Sequence, residues 1–335
     1  MAVTVAVDGS GVERGTDVLI EGMRLALADG IGLRVFGDPA AFAGIEEIEV
    51  VEAADQISND DEPVAAVRSR EQASVVLAAR DVAEGRSQAL VSAGPTGATM
   101  TAALFALKRL RGVRRPALTV QLAVPGRSGP PALLLDVGAN TEVRSQDLVQ
   151  FGVLGAAFSR AVLGVDSPRV ALLSVGEEAK KGSAVVVDAH AALARLEGID
   201  FTGNIEGRDL LASTADVIVT DGFTGNVALK TLEGTAKMVG AAVGDAARSN
   251  PVAALGGLLL RPALGGLRRE MDPDSTGGAI LLGLRGVAVV GHGSSGPEGI
   301  ANAIRLAARS VSEAAIERTA ELLETAGATR GELSN

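Results

Sequence analysis

The chain has 335 residues, of which 47% are hydrophobic and 42 are glycine. The hydrophobic fraction suffices for a large buried core and excludes disorder as the main state, while the glycine content is too low for collagen and too high for a plain helical bundle. Acidic residues outnumber basic residues by 41 to 31, and the net charge of −10 argues against nucleic acid as a partner.

The chain contains no cysteine and only two histidines, His190 and His292. Disulfides and thiolate nucleophiles are therefore excluded, and we expect no metal site. Residues 1–8 enter an apolar run without a preceding basic region, which is unlike a signal peptide. The longest uncharged apolar stretches, 98–107 and 252–260, reach about half the ~20 residues that a spanning helix needs. We expect a cytoplasmic protein.

Six apolar runs end in polar turns that contain glycine, a pattern typical of strands buried on both faces of a parallel sheet. They cover residues 3–8, 89–92, 133–136, 170–174, 217–221 and 287–290. Alanine-rich segments with helical spacing follow most of them, at residues 17–28, 97–111, 145–163, 183–196, 226–247 and 299–326. This alternation predicts an α/β fold, doubly wound, with a mainly parallel sheet and helices on both faces. The acidic segment between residues 38 and 62 is expected at a solvated edge.

The glycine turns follow the carboxyl ends of the predicted strands, where ligands bind in such folds and where helix N-termini present N–H groups to anions. We therefore expect the turns to meet at one edge of the sheet and to form a phosphate or acyl-phosphate cleft. For any single turn, the alternative is a tight connection without a ligand.

Gly291, Gly293 and Gly296 form a G-x-G-x-x-G sequence between an apolar run and a helix, the local context of a dinucleotide-binding turn. We expect no further strand after that helix to supply the acidic residue that binds a ribose. The turn is interpreted as an anion-binding turn, and no cofactor is expected. His292, inside the turn, either takes part in chemistry or only hydrogen-bonds to the backbone.

Two cations lie near other turns. Residues 221–230 read D-G-F-T-G-N-V-A-L-K, and a helix that begins near Asn226 places Lys230 one turn further along the same face. Lys230 is then either a phosphate clamp or a solvated charge. Arg208 can bind a phosphate with two N–H groups, or pair with Glu206 or Asp209.

A basic cluster lies at the end of a predicted helix, and it consists of Lys108, Arg109, Arg111, Arg114 and Arg115. These cations either complement the helix dipole or form a docking surface for an acidic carrier protein.

Five motifs, in this order, resemble those of the bacterial phosphate acyltransferases (the PlsX family). They are V-S-A-G-P-T-G at 91–97, L-D-V-G-A-N at 135–140, G-N-I-E-G-R-D at 203–209, D-G-F-T-G-N at 221–226 with L-K-T at 229–231, and H-G-S-S at 292–295. The chain departs from the family pattern at residues 9–13, at residues 70–74, at Pro95 and at Ser174.

The resemblance implies one domain over residues 1–335, with a Rossmann-like fold of the isocitrate/isopropylmalate dehydrogenase type. It also implies transfer of a long-chain acyl group from acyl carrier protein to inorganic phosphate, giving acyl phosphate for phospholipid synthesis. An enzyme that uses acyl-coenzyme A, or a non-catalytic homologue that binds acyl carrier protein, is the alternative.

Site residues follow from the motif positions. The expected catalytic residues are Lys230, Asn226 and His292. The expected phosphate-binding residues are Gly94, Thr96, Gly97, Asn140, Lys181, Arg208, Gly293, Ser294 and Ser295.

The resemblance also implies a helical protrusion at residues 232–275 that forms a homodimer and touches membrane lipid, with apolar residues Leu255, Leu258, Leu259 and Leu260. The protein would then be peripherally membrane-associated and pass its product to a membrane glycerol-3-phosphate acyltransferase. Burial of the same residues against a partner subunit is the alternative to lipid contact.

Overall fold

A sheet of eleven strands runs through the computed structural model, which describes residues 3–122, 124, 129–270 and 273–334. The strands are β1 (Thr4–Asp8), β2 (Gly32–Gly37), β3 (Ile48–Glu52), β4 (Ala89–Ser92), β5 (Ala117–Leu122), β6 (Ala132–Leu135), β7 (Arg169–Leu173), β8 (Asp200–Ile205), β9 (Val217–Val219), β10 (Ala279–Leu282) and β11 (Val287–Val290). Their order across the sheet is β3-β2-β1-β4-β11-β10-β5-β6-β9-β7-β8. β3, from the acidic segment, is an outermost strand, as predicted.

Strand direction reverses in the middle of the sheet. β10 is antiparallel to both β11 and β5, and β5 is antiparallel to β6, whereas the remaining neighbours are parallel. The carboxyl ends of β1, β4 and β11 therefore lie at one edge, called the first edge. The carboxyl ends of β6, β7, β8 and β9 lie at the opposite edge, called the second edge.

Ten α-helices lie in the described residues. They are α1 (Thr16–Ala28), α2 (Pro63–Ser69), α3 (Ser74–Ala83), α4 (Thr96–Leu107), α5 (Ser145–Leu163), α6 (Ala184–Leu193), α7 (Gly222–Arg248), α8 (Pro251–Glu270), α9 (Pro297–Ser312) and α10 (Ala315–Thr325). Buried side chains of α1, α5, α6, α9 and α10 form the core on one face of the sheet, and those of α2, α3 and α4 form the core on the other. The predicted α/β fold with a mainly parallel sheet is confirmed.

The helix predicted at 97–111 ends earlier, at Leu107, and two other predicted helices differ in their start or continuity. α7 begins at Gly222 rather than near Asn226, because the Asp221 carboxylate caps it and accepts hydrogen bonds from the Thr224 amide at 2.8 Å and the Thr224 hydroxyl at 2.7 Å. The predicted helix over 299–326 is two helices, since Ala314 adopts a positive φ of 50° between α9 and α10.

The far part of α7 and the described part of α8 extend from the body. The buried residues of α7 are Gly222 and Gly225, both in its first two turns. The helices pack on each other where a Cβ at Gly257 would lie 2.8 Å from the Cβ of Ala247. Residues 271 and 272 of the predicted protrusion lie outside the described residues. Among the described helices, none is long and apolar enough to cross a bilayer.

Two glycines of α7 give a test of this packing. A Cβ at Gly225 would overlap the carbonyl oxygen of Asp136, while nothing lies within 4 Å of a Cβ at Gly234. We expect Gly225→Ala to lower the free energy of unfolding in urea by about 1–3 kcal/mol through overpacking. Gly234→Ala is the control and should raise it by roughly 0.5–1 kcal/mol, because alanine favours the exposed helix. Equal effects of the two substitutions would show that α7 does not begin against β6.

Candidate active site

The turns after β1, β4 and β11 meet at the first edge. The Gly291 amide donates a hydrogen bond of 2.8 Å to the Ser92 carbonyl, and a Cβ at Gly11 would overlap the backbone of Gly94. β2 and β4 flank β1 on opposite sides, so the strand order reverses between β1 and β4. Ligands of open α/β sheets bind outside the strand ends at such a reversal. This crevice is the best placed candidate site in the described residues.

A buried carboxylate joins the loops of the first edge. Asp8, 3% exposed, accepts hydrogen bonds from the Ser74 hydroxyl at 2.6 Å and the Ser92 hydroxyl at 2.7 Å. The Ser92 oxygen in turn accepts from the Gly94 amide at 3.1 Å and the Thr99 hydroxyl at 3.0 Å. Asp8 therefore holds the turn that leads into α4. The sequence gives no sign of this role beyond the position of Asp8 at the end of an apolar run.

The first turn of α4 is open. Pro95 occupies the N-cap position and provides no side-chain cap, and Thr96 is exposed at the start of the helix. A helix N-terminus carries partial positive charge and N–H groups that favour an anion. The predicted ligands Thr96 and Gly97 therefore lie in an uncapped first helical turn, the kind of position that favours an anion. The predicted ligand Gly94 does not offer its amide, which Ser92 already binds.

The turn after β11 holds His292 in one tautomer. The Ser294 amide donates to His292 Nδ1 at 3.2 Å, and the Ser294 hydroxyl lies 2.8 Å from the same atom. Because a backbone N–H can only donate, Nδ1 is an acceptor and the proton of the neutral ring lies on Nε2. The His292 side chain is exposed, so its Nε2–H is available to a ligand.

The start of α9 already contains an anion. The Asp274 carboxylate accepts from the Gly296 amide at 2.8 Å, and the Ser295 amide donates to the His292 carbonyl at 2.9 Å. Of the predicted ligands in this turn, Ser294 is exposed, and Gly293 lies beside Glu13, whose carboxylate oxygen would be 2.9 Å from a Cβ at Gly293. The Arg14 side chain lies beside Gly296 in the same turn, because a Cβ at Gly296 would be 3.4 Å from an Arg14 guanidinium nitrogen.

Asn140 lies at the second edge, and its N–H groups are already hydrogen-bonded within the protein. Its side-chain N–H groups donate to the Pro116 carbonyl and the Asp136 carboxylate, both at 2.8 Å. Asp136 also accepts from the amides of Leu118, Gly138 and Ala139 at 3.0, 3.2 and 2.9 Å and from the Asn140 amide at 2.6 Å. The loop thus wraps a carboxylate of the chain itself, so Asn140 has no free N–H for phosphate.

The other predicted cations and Asn226 lie in segments that follow strands whose carboxyl ends are at the second edge. Asn226 and Lys230 are exposed on α7, and the Lys230 ammonium pairs with Glu233 at 2.9 Å. Lys181 follows β7. Arg208 follows β8 and lies within 4.0 Å of three carboxylates, those of Glu177, Glu206 and Asp209.

The expectation that every glycine turn meets at one edge is wrong, because the antiparallel β10, β5 and β6 reverse the sheet. The structure brings together Gly94, Thr96, Gly97 and the 292–295 turn at the first edge. It places Asn140, Lys181, Arg208 and the start of α7 at the second edge.

Burial raises the pKa of the Asp136 carboxyl, while hydrogen bonds from Ala139, Asn140 and Leu118 oppose this rise. The folded state therefore binds this proton more tightly than the unfolded state. The stability gained is present below the ordinary carboxyl pKa of about 3.9 and is lost as pH rises through the raised pKa.

We expect the difference in free energy of unfolding between the wild type and Asp136→Asn to shrink as pH rises from about 3.9 through that raised pKa. Urea unfolding at a series of pH values measures this difference. Asp188→Asn, at an exposed carboxylate of α6, is the control. A wild-type advantage that grows over this range would contradict the raised pKa.

Solved structures define the class of fold. A phosphotransacetylase from Streptococcus pyogenes superposes with a TM-score of 0.63 at 17% identity, covering 92% of this chain and 94% of that one. A branched-chain phosphotransacylase from Enterococcus faecalis V583 gives a TM-score of 0.62 at 17% identity, covering 92% and 99%. At these identities the likeness shows a common fold.

Sequence comparison identifies the family. The family model described as "Fatty acid synthesis protein" matches residues 3–318, and the chain belongs to this family. A phosphate acyltransferase from Elusimicrobium minutum is 46% identical over 83% of this chain and 81% of that protein. A phosphate acyltransferase from Bacillus subtilis is 41% identical over 92% of this chain and 94% of that protein.

Proposed function

We propose that this chain is an acyltransferase that moves a long-chain acyl group from the thioester of acyl carrier protein to inorganic phosphate. The product, acyl phosphate, serves glycerophospholipid synthesis. One observation carries the proposal: the open first turn of α4 lies at the same edge as the His292 turn, in a chain whose relatives are phosphate acyltransferases.

Phosphate binds at the first turn of α4 in this proposal. The amides of Thr96 and Gly97, the Thr96 hydroxyl and the helix dipole stabilise its charge. Asp8 and Ser92 are positioning residues, because their hydrogen bonds fix the turn without leaving the protein interior. A prearranged turn binds an anion without the cost of ordering a loop.

The reaction needs orientation more than activation of a nucleophile. Phosphate is already an anion at neutral pH, so an oxygen of phosphate attacks the thioester carbonyl carbon directly. The resulting tetrahedral intermediate carries its charge on the former carbonyl oxygen, and the C–S bond then breaks to give acyl phosphate and a thiolate.

His292 serves this step through its Nε2–H. That group can donate a hydrogen bond to the tetrahedral oxyanion and so stabilise its charge. The Ser294 contacts at Nδ1 keep the proton on Nε2. The residues of the second edge are left outside the phosphate site in this proposal.

His292→Ala and Lys230→Ala separate the two edges. With palmitoyl carrier protein and phosphate, and with acyl phosphate trapped by hydroxylamine, we expect His292→Ala to lower kcat about a hundredfold, the size of a lost oxyanion donor. Lys230→Ala should stay within about threefold, because its ammonium pairs with Glu233 at 2.9 Å, a surface pair worth little.

Near-normal turnover by His292→Ala removes this residue from the mechanism. A hundredfold loss in Lys230→Ala would show that α7 reaches the reacting groups, and the assignment to the first edge would fail. Wild type that is active with palmitoyl-coenzyme A but not with the carrier substrate supports the coenzyme A alternative. Wild type without trapped product from either substrate refutes an enzymatic role.

In the proposed function, the helical protrusion has two roles. It forms a homodimer, and it holds the protein at the membrane surface. Its apolar side chains Leu255, Leu258, Leu259 and Leu260 are 57–74% exposed. A cluster of exposed leucines of this kind marks an interaction site, and a helix of this kind lies on a bilayer rather than across it. At that surface the product would pass to a membrane glycerol-3-phosphate acyltransferase.

A double substitution, Leu258→Ser with Leu259→Ser, tests the protrusion. We expect the variant to lose flotation with anionic liposomes at least fivefold, because each apolar side chain buried in lipid contributes about 1.5–3 kcal/mol. Sedimentation equilibrium reports the dimer in the same samples. Unchanged flotation with a loss of the dimer would assign these leucines to the subunit interface alone, and no change in either measurement would refute both roles.

A further inference from the structure

A cationic surface made from two separate segments lies at the C-terminal end of α4. It consists of the exposed side chains of Lys108, Arg109, Arg111, Arg115 and Arg285. Arg285 comes from the turn between β10 and β11, so the sequence cluster gave no sign that it joins the others. Its amide donates to the Lys108 carbonyl at 3.1 Å, and its Nε donates to the Arg109 carbonyl at 3.1 Å.

Backbone contacts hold the two segments rigidly together. Arg109 forms an antiparallel bridge with Leu284, and the Leu110 amide donates to the Gly283 carbonyl at 2.9 Å. Gln150, fully buried, donates to the Gly112 carbonyl at 2.8 Å. A surface that is already ordered loses little conformational entropy when a partner binds.

One cation of the sequence cluster, Arg114, is paired with a buried carboxylate, whereas others have no such partner in the described part of the chain. Arg114 is a structural residue, since its side chain is 17% exposed and its Nε lies 2.9 Å from the buried Asp147 carboxylate. By contrast, Lys108, Arg109, Arg111 and Arg285 have no carboxylate within ion-pair distance among the residues that the structure describes. Their charge is therefore not neutralised by an ion pair within the part of the chain that the structure describes, although the whole chain carries a net charge of −10.

Lys108 adopts a backbone conformation that glycine usually supplies. Its φ is 63° and its ψ is 165°, a combination that L residues rarely adopt. The helix dipole alone does not account for a lysine here, because a glycine would end α4 with less strain and other cations are present in the same turn.

We propose that this cationic surface docks an acidic face of the carrier protein, with Arg285 as a member that the sequence did not reveal. The inference rests on the proposed function. α4 joins the surface to the phosphate site, since the surface begins where α4 ends and Thr96 is its first residue. The 12 residues of α4 span about 18 Å. A carrier that delivers its thioester on a flexible arm needs a docking site at such a distance from the reacting atoms.

Charge reversal tests the surface with two substrates. The variant Arg111→Glu with Arg285→Glu should raise the KM for palmitoyl carrier protein at least tenfold at low salt and leave kcat within twofold. The rate with a palmitoyl thioester of N-acetylcysteamine, which has no carrier, should not change. Arg24→Glu is the control, because it reverses the charge of an exposed arginine of α1 on the other face of the sheet. It should leave the KM for palmitoyl carrier protein unchanged.

An unchanged KM for the carrier substrate, or an equal loss with both substrates, overturns the docking surface. If the wild type converts neither substrate, the proposed function fails. Calorimetric titration with unloaded carrier then decides the docking separately, with binding lost in the double variant as the supporting result and no binding to wild type as the contrary one.

Lys108→Gly distinguishes charge from structure. It removes one cation and supplies the residue that the backbone conformation favours, so we expect the melting temperature to stay equal or rise while the KM for palmitoyl carrier protein rises two- to threefold. A fall in melting temperature, or an unchanged KM, contradicts the role given to Lys108. Binding of the wild type to anionic vesicles through this surface, without binding to carrier, would assign it to lipid instead and overturn the proposal.

Discussion

The reversal of strand direction at β10, β5 and β6 decides which loops of this chain can share a ligand. Three antiparallel contacts join two parallel halves, so the turns after β1, β4 and β11 open at one edge and those after β6, β7, β8 and β9 open at the other. A phosphate is small, and its ligands must come from turns at one edge. The grouping of Thr96 with His292, and its separation from Asn140, follows from this constraint.

At both edges of the sheet, carboxylates of the protein itself occupy positions that could bind an external anion. Asp274 occupies the start of α9, and Asp221 caps α7 at the second edge. The loop after β6 closes around Asp136. The start of α4 has no side-chain cap. The buried Asp8 carboxylate does not occupy it, because Asp8 accepts hydrogen bonds from the Ser74 and Ser92 hydroxyls instead. A glycine-rich turn is therefore an anion site only where the chain has not filled it.

Much of the architecture could be predicted from local pattern. The six apolar runs correspond to strands, and the helix predicted at 145–163 matches α5 from Ser145 to Leu163, because apolar spacing and a terminal glycine mark it clearly. The start of α7 was missed because Asp221 and Asn226 are both good caps, and tertiary contacts of Gly222 and Gly225 choose the first. The reversal of the sheet was missed because β5 and β10 carry no motif.

The candidate site was less predictable than the fold, since a side chain's role depends on partners distant in sequence. Asp8 meets Ser74 and Ser92, and Arg285 meets Arg109, across separations that no spacing rule covers. The motifs mark turns that follow strands, but they do not show which amides of those turns are already hydrogen-bonded within the protein. Crystals soaked in arsenate, a phosphate analogue whose arsenic atom scatters anomalously, test the central claim most directly. The account predicts an anomalous peak within hydrogen-bonding distance of the Thr96 amide. A peak confined to the second edge, beside Lys181 or Arg208, would contradict it.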